Sequence, residues 1–134
     1  MDYAVVERTP SPEVFRRLRA ASGLSDKTPE AAAAGLANTW HAAVVLHGDE
    51  PVGMGRVVGD GGTAFLIVDV CVLPEHQGAG LGRRIVAALT RALEERAPES
   101  AYVSIIADGD SRHLYAKYGF REVAPASVGM ARRF

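Results

Sequence analysis

The chain has 134 residues, of which 48% are hydrophobic and 23% are charged, a composition typical of a globular domain and not of a disordered segment. Fifteen basic and sixteen acidic side chains leave a formal net charge of −1, which gives no global attraction to nucleic acid or to an anionic membrane. No apolar run is long enough to span a bilayer, and no histidine spacing is typical of a metal site.

These properties limit the kind of protein to expect. The segment Met1 to Arg8 is too short and too acidic for a secretory signal, and Cys71 is the only cysteine, so that no intrachain disulfide can form. We therefore expect a single domain over residues 1–134 with a cytoplasmic location. We expect no partnership with nucleic acid or membrane and no metal.

The first part of the chain predicts a strand followed by two helices. Residues 3–8 alternate enough in polarity to form a strand. Helices are predicted over residues 12–21 and 29–38, because Ser11 and Thr28 are side chains suited to cap a helix and a proline follows each of them. The sequence therefore predicts two short helices before the main body of the sheet.

The middle of the chain predicts a hairpin and a buried strand. Strands over residues 41–47 and 51–59 are joined by a turn at Gly48. A further tight turn leads to residues 65–72, which are nearly all apolar, as in a central strand covered on both faces.

The last part of the chain predicts a long helix through about residue 97, ended by Pro98. A strand over residues 102–107 follows, and the helical crossover predicts that it lies parallel to residues 65–72. A short helix is predicted over residues 111–118. The tail, residues 120–134, is expected to hold one or two final strands. The whole pattern indicates an α+β domain with a mixed sheet.

The loop before the long helix has the features of an anion site. Gly78, Ala79 and Gly80 offer no side-chain cap, and the first turn of the helix carries Arg83 and Arg84 but no acid. Cations at this end oppose the helix dipole, which is explicable if a bound anion lies on the first backbone N–H groups. The alternative is a glycine-rich turn that only connects a strand to a helix.

Two common nucleotide motifs are absent from this loop. A phosphate-binding P-loop requires glycine, four residues and then Gly-Lys-Ser/Thr, which does not occur. The dinucleotide motif GxGxxG is met at Gly78 and Gly80, but its third glycine is replaced by Arg83. The anion is therefore expected to belong to a different class of cofactor.

The loop and a second segment together resemble the Gcn5-related N-acetyltransferase (GNAT) family. The motif Arg/Gln-x-x-Gly-x-Gly/Ala of that family is matched by Gln77, Gly80 and Gly82. The second segment of the family, a Leu-Tyr pair followed by Lys-x-Gly-Phe, is matched by Leu114 to Phe120. The resemblance covers about residues 41–123. It implies a mostly antiparallel central sheet with a splayed parallel strand pair and flanking helices.

The resemblance also implies acetyl-CoA as the acyl donor and a set of residues that bind it. In the family, backbone amides of the loop hold the pyrophosphate, and the end of the preceding strand pairs with the pantetheine arm. The residues expected by resemblance to contact acetyl-CoA are Val72, Leu73, Gln77, Gly78, Ala79, Gly80, Leu81, Gly82, Arg83, Asp108, Ser111 and Leu114.

The resemblance implies direct transfer to an amine, with no acyl-enzyme. The Val72 N–H would polarise the thioester carbonyl, and Tyr115 would give its proton to the departing thiolate. Many members of the family carry an asparagine seven residues before the tyrosine, where this chain has Asp108. A carboxylate accepts hydrogen bonds but donates none, so that the role of this position stays open.

The base that deprotonates the amine is less clearly marked. Asp69 is the candidate, because it is a charged residue inside an apolar strand and its burial without a partner would be costly. The alternative is a structural acid satisfied by a backbone amide or an arginine, with a water chain as the base. Cys71 lies mid-strand without a nearby histidine, which is typical of a small buried hydrophobe and not of a nucleophile.

Three functions remain open at this level. The first is acetylation of a small-molecule amine or amino acid, and the second is acetylation of a protein N-terminus or lysine. The third is a non-catalytic module that binds acetyl-CoA, against which the presence of Tyr115 argues. An exposed edge strand and tail would also allow a homodimer.

Overall fold

A single five-stranded sheet organises the computed structural model, which describes residues 2–134. The strands are β1 (Tyr3–Val6), β2 (His41–His47), β3 (Glu50–Gly59), β4 (Ala64–Val72) and β5 (Tyr102–Ile105). The helices are α1 (Pro12–Ala21), α2 (Pro29–Leu36), α3 (Leu81–Arg96) and α4 (Arg112–Ala116). The sheet has the order β1-β2-β3-β4-β5, antiparallel up to β4 and parallel between β4 and β5. The predicted mixed, mostly antiparallel sheet is confirmed.

The first two helices begin where the sequence predicts. The Ser11 hydroxyl accepts a hydrogen bond from the Val14 N–H at 3.2 Å, and the Thr28 hydroxyl accepts one from the Ala31 N–H at 3.1 Å. In both helices a proline occupies the first turn, where its missing N–H costs nothing. Helix α2 ends at Leu36, two residues before the predicted end.

Helices cover both faces of the sheet. Helix α3 packs on β2, β3 and β4 with an apolar stripe in which Leu81, Ile85 and Leu89 are all buried. Its approach to β3 is so close that a Cβ on Gly55 would lie 2.6 Å from an Ile85 methyl carbon. The next residue, Arg56, points to the opposite face, which α1 and α2 cover.

Strands β4 and β5 separate after a short parallel contact. They pair only from Ala64 with Tyr102 to Ile67 with Ile105, after which β5 ends and β4 continues to Val72. Between Val68 and Cys71, β4 also carries an extra residue relative to β3, which is a β-bulge. The bulge residue Asp69 has a φ of 62°, a left-handed conformation that is uncommon outside glycine. The divergence opens a cleft beside the second half of β4.

The prediction of strands in the tail is wrong. Residues 120–134 contain no strand, and all of them except Phe120 are exposed. Pro125 has no backbone N–H to donate, and Gly129 has no side chain to pack, so the apolar residues around them form no continuous alternating run. The outer edge of β5 is therefore left without a strand partner among residues 2–134.

Candidate active site

A cavity of about 1160 Å³ lies where β4 and β5 separate. We distinguish two ends by their residues. The loop end is formed by Val72 and by the segment 77–82 that leads into α3, and the arginine end is formed by Phe15, Arg19, Ser22, Arg56 and Asp69. Tyr115 of α4 also lines the cavity.

The loop end presents a helix start that no side chain caps. Gly80 is the residue before α3, in a left-handed conformation with a φ of 77°, and no acid occurs in the first turn. Gly78 is also left-handed, with a φ of 86°, and no atom lies within 4 Å of the position that a Cβ would take on either glycine. The first N–H groups of α3 are therefore open to a bound anion, as the sequence predicts.

The end of β4 turns one backbone N–H towards the cleft. The Leu73 N–H donates to the Val52 carbonyl at 2.8 Å, and the Leu73 carbonyl accepts from the His76 N–H at 2.9 Å. Because successive N–H groups alternate in direction along a strand, the Val72 N–H points away from β3 and into the cleft. Gln77 holds this geometry, since its side-chain amide donates to the Val72 carbonyl at 3.0 Å.

Helix α4 braces the loop end from the other side. The Tyr118 hydroxyl donates to the Arg83 carbonyl at 3.2 Å. A Leu114 methyl carbon lies 3.7 Å from the position that a Cβ on Gly82 would take. Nothing in the sequence indicates this bond to the first turn of α3. The two contacts tie the segment that carries Tyr115 to the loop end of the cavity.

Tyr115 is the buried phenol of the cleft. Its side chain is only 7% exposed, and its ring lies edge-on to Phe120 with centroids 6.3 Å apart. Burial raises the pKa of Tyr115 above its ordinary value, and the nearby charge of Asp108 acts in the same direction. The group is therefore a neutral hydroxyl at physiological pH, able to donate a proton.

Two of the polar residues that precede α4, Asp108 and Ser111, lie at the cavity wall. Asp108 is exposed, and its backbone carbonyl accepts a hydrogen bond from the Ser111 hydroxyl at 2.6 Å. Both residues line the cavity. The position at which many relatives have asparagine is thus beside Tyr115, and its carboxylate acts on the phenol by charge.

Asp69 lies between two arginines at the other end. Its Oδ1 is 2.5 Å from Arg19 Nη1, and its Oδ2 is 2.8 Å from Arg56 Nε. All three side chains are nearly inaccessible, at 9% for each arginine and 6% for the aspartate. Each carboxylate oxygen therefore has a cationic partner. This arrangement corresponds to the second interpretation of Asp69, a structural acid satisfied by an arginine.

Further contacts hold each arginine in place. Arg19 donates through Nε to the Ser25 carbonyl at 2.8 Å and through Nη2 to the Ser25 hydroxyl at 3.1 Å. Arg56 donates through Nη1 to the Thr39 hydroxyl at 2.7 Å. Both guanidinium groups also lie within 6 Å of the Phe15 ring centre, at 5.7 Å and 5.4 Å. This end of the cavity is thus a fixed side-chain cluster.

The predicted site residues divide into two groups. Those that line the cavity are Asp69, Val72, Gln77, Gly78, Gly80, Leu81, Gly82, Asp108, Ser111 and Tyr115. Those outside the lining are Leu73, Ala79, Arg83 and Leu114. Leu73 is buried with both backbone polar groups already bonded, whereas Ala79 and Arg83 are exposed on the loop.

Sequence reasoning missed the partners of Asp69. Arg56 carried the same signal as Asp69, a charge inside a strand that is otherwise apolar, and Arg19 lies on the buried side of α1 with Phe15 and Leu18. Cys71 is buried as expected, and burial raises the pKa of its thiol to about 11. The thiol is therefore un-ionised at neutral pH.

Comparisons with known proteins identify the family. Residues 38–122 match the model of the acetyltransferase (GNAT) domain. A crystal structure of a protein of unknown function and probable acetyltransferase from meticillin-resistant Staphylococcus aureus is 40% identical. The alignment covers 99% of this chain and 100% of that one, with a TM-score of 0.93. The chain belongs to the GNAT acetyltransferase family.

Two curated relatives match only in part. GCN5-related N-acetyltransferase 2, chloroplastic, of Arabidopsis thaliana is 37% identical over 79 residues, which are 59% of this chain and 30% of the relative. The [ribosomal protein bS18]-alanine N-acetyltransferase of Haemophilus influenzae is 31% identical over 57 residues, which are 42% of this chain and 39% of the relative. The matched region thus spans about a third of each relative. Within residues 2–134, no helix is both long and apolar enough to cross a membrane.

Proposed function

We propose that residues 1–134 act as a single GNAT domain that transfers the acetyl group of acetyl-CoA directly to the amine of a small molecule or amino acid. The observation that carries the proposal is the arrangement of three groups around one cavity. These are the uncapped start of α3, the Val72 N–H that faces the cleft, and the buried phenol of Tyr115.

The loop end fits the donor's pyrophosphate. The open N–H groups at the start of α3 would bind its oxygens, and the left-handed Gly78 and Gly80 let the backbone approach closely. Arg83 and Arg84, exposed beside the loop, would add positive charge. The unpaired side of β4 beyond Ile67 would take the pantetheine arm as an added strand.

Two groups of the chain act on the thioester. Acetyl-CoA, when bound, supplies an acyl group on a thiol leaving group. The Val72 N–H would hydrogen-bond the carbonyl oxygen, where negative charge develops as the amine nitrogen forms its bond to carbon. As the carbon–sulfur bond breaks, Tyr115 would protonate the sulfur, and its burial keeps the proton available at neutral pH.

We assign Asp69 to positioning and not to proton abstraction. Each of its oxygens already accepts from a buried guanidinium. Because both oxygens are engaged in these ion pairs, neither is left to accept the proton of an amine. The amine proton would instead leave through water in the cavity, which is the alternative considered from the sequence.

Two other functions of the same cleft compete with this one. Acetylation of a protein N-terminus or lysine would use the same donor site. A non-catalytic acetyl-CoA module would need the loop end but has no use for a buried phenol beside it. We propose a cytoplasmic location, and a homodimer through the free edge of β5 is compatible with the sheet order.

Turnover of the Tyr115→Phe variant tests the proposal. With acetyl-CoA and a panel of amines, the variant is expected to lose roughly 100-fold or more in kcat, since general acid catalysis contributes about that much. Its affinity for acetyl-CoA, measured by calorimetry, should stay within about twofold because no phosphate contact is removed. Release of the free thiol provides the assay.

The matched control is Tyr102→Phe, because Tyr102 is 62% exposed on β5 and lies outside the cavity lining. Its turnover should equal that of the wild type. An unchanged kcat in Tyr115→Phe would show that Tyr115 is not the general acid. Binding of acetyl-CoA without transfer to any amine would favour the non-catalytic module.

A further inference from the structure

The arginine end of the cavity carries an unbalanced positive charge. Two guanidinium groups, of Arg19 and Arg56, share the single carboxylate of Asp69, which leaves a net charge of one. Both arginines are about nine-tenths buried, where an uncompensated charge is costly. Asp108, the other acidic residue in the lining, lies beside Tyr115. A bound anion would balance this end.

One arginine has donors left for such a ligand. Arg56 uses Nε for Asp69 and Nη1 for Thr39 and Gly35. Its Nη2 makes no hydrogen bond within residues 2–134, and Arg56 lines the cavity. Arg56 therefore has two N–H donors that no protein group uses.

The donor's phosphates do not account for this charge. Arg56 pairs with Val68, four residues before Val72, which is about 13 Å along the strand. The pyrophosphate would bind beyond Val72, at the start of α3. The arginine end therefore lies on the far side of the reacting thioester, where an acceptor would enter.

We propose, on the basis of the function above, that the acceptor is a small amine that also carries a carboxylate or phosphate. Its anion binds Arg56 Nη2, and its amine reaches the acyl carbon beside Val72. Lys27 and Arg133, exposed at the cavity wall, add positive charge at the entrance. Polyamines and lysine-rich peptides are disfavoured by the same charges.

Matched pairs of amines test the proposal on the wild-type protein. Glycine is compared with glycinamide, and phosphoethanolamine with ethanolamine, with spermidine as the cationic member. The anionic member of at least one pair should have a kcat/KM about 10- to 100-fold higher, the range expected for a charge-assisted hydrogen bond. The two pairs separate carboxylate from phosphate recognition. Equal rates within both pairs, or a preference for spermidine, would overturn the proposal.

Arg56→Met provides the second test. It leaves Arg19 and Asp69 as a balanced pair, so the variant is expected to fold. The preference for the anionic amine should fall at least tenfold through KM, while the affinity for acetyl-CoA stays within about twofold. Arg56→Lys should keep part of the preference, and Arg8→Met, an exposed substitution of the same kind, should keep all of it.

The outcomes distinguish failure of the proposed function from failure of the anionic acceptor. If wild-type protein does not bind acetyl-CoA, the proposed function itself fails. If it binds acetyl-CoA and acetylates amines but ignores their charge, only the anionic acceptor is wrong. A parallel loss of acetyl-CoA affinity in Arg56→Met would assign the arginine end to the donor and would overturn the proposal. If that variant does not fold, the wild-type pairs decide alone.

Discussion

The two ends of the cavity are built in different ways. The loop end presents backbone N–H groups of the segment 77–82, placed by two left-handed glycines and by the start of α3. The arginine end presents side chains that come from α1, β3 and the bulge in β4. A backbone site keeps its chemistry under many side-chain changes, whereas a side-chain cluster depends on each member. This difference agrees with our proposal that the loop end binds a constant donor and the arginine end a specific acceptor.

Substitution of Asp69 should produce the largest loss of unfolding free energy, and it changes the arginine end and not the loop end. Asp69→Asn leaves two buried guanidinium groups without a carboxylate, and breaking such a pair costs about 3–5 kcal/mol of unfolding free energy. Urea denaturation measures the change.

The control is Asp26→Asn, which removes an exposed carboxylate paired with Arg16. That substitution should leave the urea midpoint almost unchanged, because an exposed ion pair contributes little to stability. A similarly small cost for Asp69→Asn would show that the arginine end does not depend on its acid and would remove the contrast between the two ends.

A substitution at Gly80 tests whether the loop end depends on backbone conformation. Because the φ of Gly80 is 77°, alanine would be strained there by about 1–2 kcal/mol. The loop must either tolerate this strain or shift away from the geometry that binds the anion. We expect acetyl-CoA affinity to fall roughly tenfold, measured by calorimetry.

Gly62→Ala is the matched control, since Gly62 has no left-handed φ and its Cβ would lie 3.8 Å from the nearest atom. Acetyl-CoA affinity should not change in that variant. If Gly80→Ala also binds acetyl-CoA normally, the conformation of the loop is not what determines donor binding.

The raised pKa of Tyr115 predicts a smaller effect, a loss of stability at alkaline pH. Burial favours the protonated phenol in the folded chain, while in the unfolded chain the phenol titrates near its ordinary value of about 10. Above that value the unfolded chain loses this proton before the folded chain does. The contribution of Tyr115 to stability is therefore fully present below pH 10 and decreases as the pH rises towards the folded pKa. Tyr115→Phe should lose less stability than wild type between about pH 9 and 11, measured by denaturation at each pH. Identical losses would contradict a buried phenol.

The local features of the fold were predictable from sequence. The caps at Ser11 and Thr28 and the uncapped glycine loop depend on neighbouring residues, and each is found where the pattern indicates. The resemblance to the GNAT family was confirmed by the match over residues 38–122. The expected strands in residues 120–134 were wrong, because strand pairing depends on a distant partner that the local pattern does not reveal.

The arginine end was not predictable for the same reason. Asp69 was identifiable as a charge in a buried strand, but Arg19 lies 50 residues away along the chain and Arg56 lies 13 residues away. Only the packing of α1 on the sheet and the bulge at Asp69 bring them together. The hydrogen bond from the Leu73 N–H to the Val52 carbonyl was not predictable either, since it depends on the register between β3 and β4.

Calorimetric titration with acetyl-CoA, compared with the analogue that lacks the 3′-phosphate, tests the central claim most directly. We predict a single site with a Kd of roughly 1–100 μM, about −8 to −5.5 kcal/mol, and weaker binding of the analogue if Arg83 or Arg84 contacts that phosphate. No heat and no thermal stabilisation at millimolar acetyl-CoA would contradict the assignment of the loop end to the donor.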